Sequence, residues 1–173
     1  MPEIAEIYEA HARAVYWSAY SMLRDESAAM DTMQTVFLRA LEHEATLRCL
    51  APMQAKSWLF TAARNASVDY IRKSGREVVT NTPPEEEAQS TFVMPEAFVV
   101  TEEMRGEVYA AVNNLPDQYR QPVLLYYFAH MQQHEIAEYL NINASTVRTR
   151  LKRAKARLYR EMQHMQEGGA LRE

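Results

Sequence analysis

Residues 74–101 divide a chain that is patterned for helix on either side. The stretch holds Gly75, Pro83, Pro84, Pro95 and the run Glu85-Glu86-Glu87, a composition that interrupts helices and repels itself. A chain of 173 residues has material for one good core or two small ones. The acidic, proline-bearing separator selects two. The expected fold class is therefore all-α: small helical domains over residues 1–74 and 102–165, a flexible acidic linker over 75–101 and a disordered tail over 166–173. Phe92, Val93, Met94, Phe98 and Val99 in the linker read as a short docking segment or as the approach to the next helix. Attraction between the acidic linker and the basic end of the chain favours packing of the two domains in the free state.

In the first flank, Ile4, Ile7, Tyr8, Val15, Ala19, Met22 and Leu23 recur at spacings of three and four, which puts one buried stripe on a helix from Ile4 to Leu23. Asp25, in the interruption Arg24-Asp25-Glu26-Ser27, is placed to cap a second helix reaching about Leu41, with Met33, Phe37, Leu38 and Leu41 inward. His43 to Pro52 has no clean period, and Pro52 suits a loop or a helix start. A third helix, about Gln54 to Arg72, carries Trp58, Leu59, Ala62, Ala66, Tyr70 and Ile71 on one broad face. Arg64, Asn65, Asp69, Arg72 and Lys73 lie on its less apolar side. Trp58 and Phe60 admit two roles, core packing or stacking on an opened nucleic-acid strand.

In the second flank, Val108, Ala111, Val112 and Leu115 form a stripe that ends at Leu115-Pro116-Asp117, because proline restricts the residue before it. Tyr119 to Phe128 is apolar enough for a buried helix, with Pro122 tolerated in a first turn. Next come Gln133 to Leu140, the corner Asn141-Ile142-Asn143, and a helix from Ala144 through Leu158. Ile136, Ala137 and Leu140 face inward, Ile142 fills the space between the helices, and Asn143 stands at the N-cap. Val147, Leu151, Ala154 and Leu158 supply the inner stripe of the last helix. This is the pattern of a helix-turn-helix.

The formal net charge of -4 conceals the local field: residues 105–160 hold nine basic and four acidic side chains, whereas residues 76–104 hold one and seven. A groove responds to the local field. In such a helix the N-terminal residues reach base edges and cations farther along reach phosphates. Ser145, Thr146, Arg148 and Thr149 are the base-reading candidates, and Lys152, Arg153 and Lys155 the positioning ones. The plainer alternative is a solvated basic helix that binds an acidic partner.

Other chemistry finds little support. The single Cys49 cannot staple the fold, and no Cys/His spacing matches a structural zinc site, which fits a reducing compartment. His130 and His134 are four apart and could share a face with Glu138, but they straddle a helix start and lack a third ligand of suitable spacing. His134 could instead tune phosphate affinity with pH. There is no activated nucleophile and no phosphate-cradling glycine loop among four glycines, so the chain does not read as an enzyme. The acidic start Met1-Pro2-Glu3 lacks the apolar run of a signal peptide or membrane span.

The chain resembles a bacterial sigma factor of the extracytoplasmic-function type within the sigma-70 family. The likeness runs through Tyr16, Ala19, Met22, Leu23, Asp25, Asp31, Gln34, Phe37, Arg39 and Ala40, then Ser57 to Asn65 and Asp69 to Lys73. It resumes at Leu115 to Arg120, Val123 to Phe128, Glu135 to Leu140 and Thr146 to Lys155. The resemblance implies that the helix with Asp31, Gln34 and Phe37 docks on the clamp helices of the largest core polymerase subunit. It assigns the loop His43 to Met53 and the residues Trp58, Arg64, Asn65, Asp69, Arg72 and Lys73 to reading and opening the -10 promoter element. Residues 105–160, through Ser145, Thr146, Arg148, Thr149, Lys152, Arg153 and Lys155, are assigned to the -35 element.

The implied partners are core RNA polymerase, double-stranded promoter DNA, the melted -10 strand and an anti-sigma factor. No cofactor, metal or membrane insertion is implied, and the expected location is the cytoplasm. Two departures stand out. Ala28, Met30 and Thr35 surround Asp31 where the family carries an acidic cluster, which points to a more apolar or weaker contact, and His134-Glu135 replaces an acidic pair. Two other function classes compete: an ordinary DNA-binding regulator and a protein-interaction module. Motifs at both ends of the chain separate the sigma reading from the first of these.

Overall fold

The computed structural model describes residues 3–75 and 107–170, with side chains described through Gly75 and from Val108 to His164. Beyond Gly75 the expected linker, with Phe92 and Phe98, lies outside the described residues. Among those described, every regular element is helical.

The N-terminal group is α1 (Ile4–Leu23), α2 (Glu26–Glu42), α3 (Glu44–Arg48) and α4 (Pro52–Lys73). Arg24 ends α1 in the left-handed region at φ 53°, its N–H donating to the Tyr20 carbonyl, and Asp25 caps α2 by accepting from the Ala28 N–H at 2.8 Å. The loop expected at His43 to Pro52 contains α3, a short helix closed by an Arg48–Glu44 ion pair at 2.9 Å. Pro52 opens α4, where its missing N–H costs no helical bond.

Three inward assignments are corrected here. Met33, Val36, Phe37 and Ala40 form the buried side of α2, while Leu38 and Leu41 are 63% and 52% exposed. At 100° per residue they lie too far round the helix to share that stripe. Tyr8 is also exposed, its ring edge-on to Phe37 at 4.8 Å. In α1 burial is not a single stripe: every residue from Val15 to Ser21 is buried, which requires cover on more than one face.

The C-terminal group is α5 (Glu107–Asn113), α6 (Asp117–Val123), a π-helical turn (Leu124–Phe128), α7 (Gln133–Leu140) and α8 (Ala144–Ala170). Pro122 sits inside α6, beyond the first turn that would have excused it. The ladder widens directly after it, the Ala129 N–H donating to the Leu124 carbonyl at 3.0 Å, as expected where a proline disrupts regular i to i+4 bonding. Helix α8 runs on to Ala170, so most of the expected tail over 166–173 is helical. Met162, Gln163, Gln166 and Glu167 are good helix formers, and no proline stops them.

The two groups pack against each other, α1 against the π-turn and α6, and α4 against α7. Trp17 of α1 is 1% exposed and meets Phe128 edge-on at 4.7 Å. The second face of α1 is thus covered by the other group.

Candidate nucleic-acid interface

Helix α8 is set by the corner before it. Asn141 takes the left-handed region at φ 55°, which asparagine tolerates better than most residues, and the Ile142 N–H donates back to the Ala137 carbonyl at 2.9 Å. The chain then turns into α8, whose first bond runs from the Val147 N–H to the Asn143 carbonyl at 3.1 Å. Val147 and Ala154 are fully buried, with Leu151 and Leu158 packed beside them, so the opposite side faces out. Ser145, Arg148, Thr149, Lys152, Arg153 and Lys155 are exposed and Thr146 is half-buried. From Ala144 to Arg160 the helix carries seven basic residues and no acidic one.

A shallow groove of about 330 Å³ lies at the start of α8, lined by Ser145, Thr146, Thr149, Arg150 and Arg153 together with Gln118 and Tyr119 of α6. Arg148, Lys152 and Lys155 are exposed but do not line it. The Thr149 hydroxyl donates to the Ser145 carbonyl at 3.0 Å, which leaves its oxygen as an acceptor, suited to a base amino group rather than a phosphate. Sequence reasoning missed Arg150, Gln118 and Tyr119 here. Arg150 shares a face with Thr146 at i, i+4 and could have been found. Gln118 and Tyr119 arrive through tertiary packing, and Tyr119 is held by Arg157 over its ring at 4.8 Å.

On α4, Trp58, Asn65, Asp69 and Arg72 recur at helical spacing, and all but the half-buried Trp58 are exposed. Trp58 lies edge-on to His43 at 6.0 Å, and Phe60 is buried in the core, 7% exposed. Lys73 is exposed at the end of the helix. Arg64 departs from this face. Its Nε donates to the Tyr139 carbonyl of α7 at 2.8 Å, so it is engaged within the protein. On α2, Asp31 and Gln34 are exposed on the same face as Leu38 and Leu41, whereas Phe37 is buried and belongs to the core. The two leucines complete an exposed stripe that the inward assignment had hidden.

The seam between the groups is polar as well as aromatic. The Tyr139 hydroxyl, fully buried, donates to the Ser18 carbonyl at 2.9 Å, and burial raises its pKa. Lys56 of α4 pairs with Glu135 of α7 at 3.1 Å. Burial, and then the charge of Lys56, lower the pKa of His11 below its usual 6.5. Arg24 donates to the Asn113 carbonyl at 2.9 Å and stands 3.9 Å from Asp117. The same carboxylate meets Arg120, which is 0% exposed and has no well-aligned hydrogen bond. Burial, then repulsion from Arg24, lower the pKa of Arg120 to about 10, so it stays charged at neutral pH.

Among the described residues no group of three or more His, Cys, Asp or Glu is placed to hold a metal, and no helix is long and apolar enough to cross a membrane.

Comparison with known proteins agrees with this layout. The profile of Sigma-70 region 2 matches residues 7–77, and that of Sigma-70, region 4 matches residues 105–158. The chain is 32% identical over 155 residues to the ECF RNA polymerase sigma factor SigM of Bacillus subtilis, covering 90% of this chain and 92% of SigM. It is 28% identical over 172 residues to SigW of the same organism, covering 93% and 89%. Among solved structures, the sigma factor RpoE of Bartonella quintana, in complex with the anti-sigma factor NepR, has a TM-score of 0.59 at 21% identity, covering 92% of this chain and 96% of RpoE. CnrH, in complex with the cytosolic domain of CnrY, has a TM-score of 0.57 at 20% identity, covering 93% and 88%. At these identities the structural likeness is one of fold.

Proposed function

Because this chain belongs to the extracytoplasmic-function group of the sigma-70 family, we propose that it binds core RNA polymerase and directs it to specific promoters for transcription initiation. The observation that carries this reading is the match to SigM over 90% of the chain, with regions 2 and 4 in order. In this reading residues 1–74 form the region 2 domain and 102–165 the region 4 domain. The α2 stripe of Asp31, Gln34, Leu38 and Leu41 contacts core polymerase. Trp58, Asn65, Asp69, Arg72 and Lys73 meet the -10 element, joined by Arg64 once it is released from Tyr139. The outer face of α8 meets the -35 element. The protein acts in the cytoplasm as a specificity subunit, not an enzyme, and an anti-sigma factor, as in the RpoE–NepR complex, is a further partner.

Transcription with purified core polymerase and a set of genomic promoter fragments tests the proposal. Promoter-specific transcripts are expected only when the chain is added. Transcripts that do not depend on it, together with DNA binding in the absence of polymerase, point to an ordinary regulator instead.

Within α8 the two kinds of contact separate by their salt and sequence dependence. Arg148→Ala is expected to lose about 1–3 kcal/mol of discrimination at one base pair, the range for a bidentate arginine–guanine contact. Lys155→Ala is expected to weaken binding on every fragment and to reduce the slope of log K against log salt by about one, as for one lost phosphate contact. Titrations on matched and mismatched -35 fragments at several salt concentrations distinguish them. Equal weakening on all fragments by Arg148→Ala removes that residue from base readout.

A further inference from the structure

The basic residues of α8 do not all stand on one side of it. At about 100° per residue, Arg148, Lys152 and Lys155 share one flank, whereas Arg150, Arg153 and Arg157 fall within about 60° of one another on another. This second flank is the one turned towards α6. Arg150 and Arg153 line the groove between α6 and α8, but Arg157, one turn beyond Arg153, does not. Its guanidinium lies instead over the Tyr119 ring, 4.8 Å from the centroid, although the residue is exposed. Tyr119 is 7% exposed and itself lines the groove, so one ring connects Arg157 to the cavity.

Helix α6 has a physical need for such a contact. It is seven residues long, and Pro122 removes one of its few internal hydrogen bonds. A helix of this kind takes its position from the side chains that hold it rather than from its own ladder. A planar guanidinium can lie flat on an aromatic ring and keep its charge, which a compact ammonium on a flexible stem does less well.

We propose that Arg157 is a positioning residue for -35 recognition: stacked on Tyr119, it fixes the α6 wall of the groove against Thr146, Thr149, Arg150 and Arg153, and makes no phosphate contact of its own. The inference rests on the sigma reading and adds to it a cation that acts on base choice from outside the base-reading set. Hydrogen bonds to base edges weaken steeply when misaligned. A groove wall free to shift therefore lets a mismatched site settle nearly as well as the matched one.

The test measures binding of the full chain, assembled with core polymerase, to promoter fragments with matched and mismatched -35 elements at several salt concentrations. Arg157→Gln is expected to lower the matched-to-mismatched ratio by about three- to fivefold, the scale of one cation–π contact. The slope of log K against log salt should stay as in the parent, since no phosphate contact is lost. Arg157→Lys, which keeps the charge and loses the flat stack, should behave like Arg157→Gln. Tyr119→Phe, which keeps the ring, should behave like the parent. Tyr119→Leu should match Arg157→Gln, and the two together should lose little more than either alone, because they remove the same contact.

A salt slope lowered by about one in Arg157→Gln, with matched and mismatched fragments weakened equally, makes Arg157 a phosphate contact and overturns the proposal. So does a full loss in Tyr119→Phe, which would assign the effect to the hydroxyl, or parental discrimination in both Arg157 variants. A lower unfolding midpoint in Arg157→Gln, with both fragments weakened alike, reduces the residue to a stabilising one and overturns it as well. If the parent chain with core polymerase prefers no matched fragment over its mismatched form, the sigma reading fails first and the positioning role falls with it.

Discussion

Replacing both exposed leucines of α2, Leu38→Lys with Leu41→Lys, is expected to weaken capture of core RNA polymerase by about a hundredfold while leaving the unfolding midpoint of the chain unchanged. Neither side chain supports the core, because Met33, Val36, Phe37 and Ala40 fill the inner side of the helix. Lysine is a good helix former and its charge is favourable near the C-terminal end of α2, so the fold has little reason to respond. A buried apolar anchor in a protein interface contributes on the order of 1–2 kcal/mol, and two of them account for the predicted factor. Pull-down with core polymerase and thermal unfolding measured on the same preparation provide the check. Capture equal to the parent's would remove this stripe from the docking surface, and Asp31 and Gln34 with it, since they share its face.

Asp117→Ala is expected to destabilise the chain by about 3–5 kcal/mol, the usual consequence of removing one partner from a buried ion pair. Among the described residues Asp117 is the carboxylate paired with Arg120, and Arg24 adds a second positive charge to the same place. The sign follows from the pKa. A base whose folded value falls from the ordinary arginine range to about 10 is charged less readily in the folded state, so its charge opposes folding at every pH below about 10. That cost is relieved only as pH rises through the folded value towards the unfolded one. Arg120→Met placed on Asp117→Ala should therefore recover most of the loss, since the uncompensated charge is removed while the buried volume is kept.

Urea unfolding at unchanged slope measures both variants. A loss under about 1 kcal/mol on Asp117→Ala would contradict an uncompensated buried charge.

Much of the local architecture follows from the sequence alone, because helical periodicity, caps and corners are written within a few residues of where they act. Asp25 caps α2, Ile136 and Ala137 face inward, Val147 and Ala154 anchor α8, and the outer face of α8 carries the expected polar and basic residues. Each depends on side-chain direction around one helix or on a turn chemistry with few solutions.

The tertiary structure decided what periodicity cannot express, namely how many sides of a helix are covered and by what. Trp17 and Ser18 lie off the stripe read for α1, and they are buried because a group nearly a hundred residues later packs over them. Leu38 and Leu41 look like core residues from their type alone, yet face out because the rest of the domain lies on the other side of α2. Arg64 reads as a phosphate contact from its charge and position, and bonds to Tyr139 only because α7 is folded against it. A local pattern states which side chains prefer burial; the supply of neighbours is a non-local property, and only the packed chain fixes it.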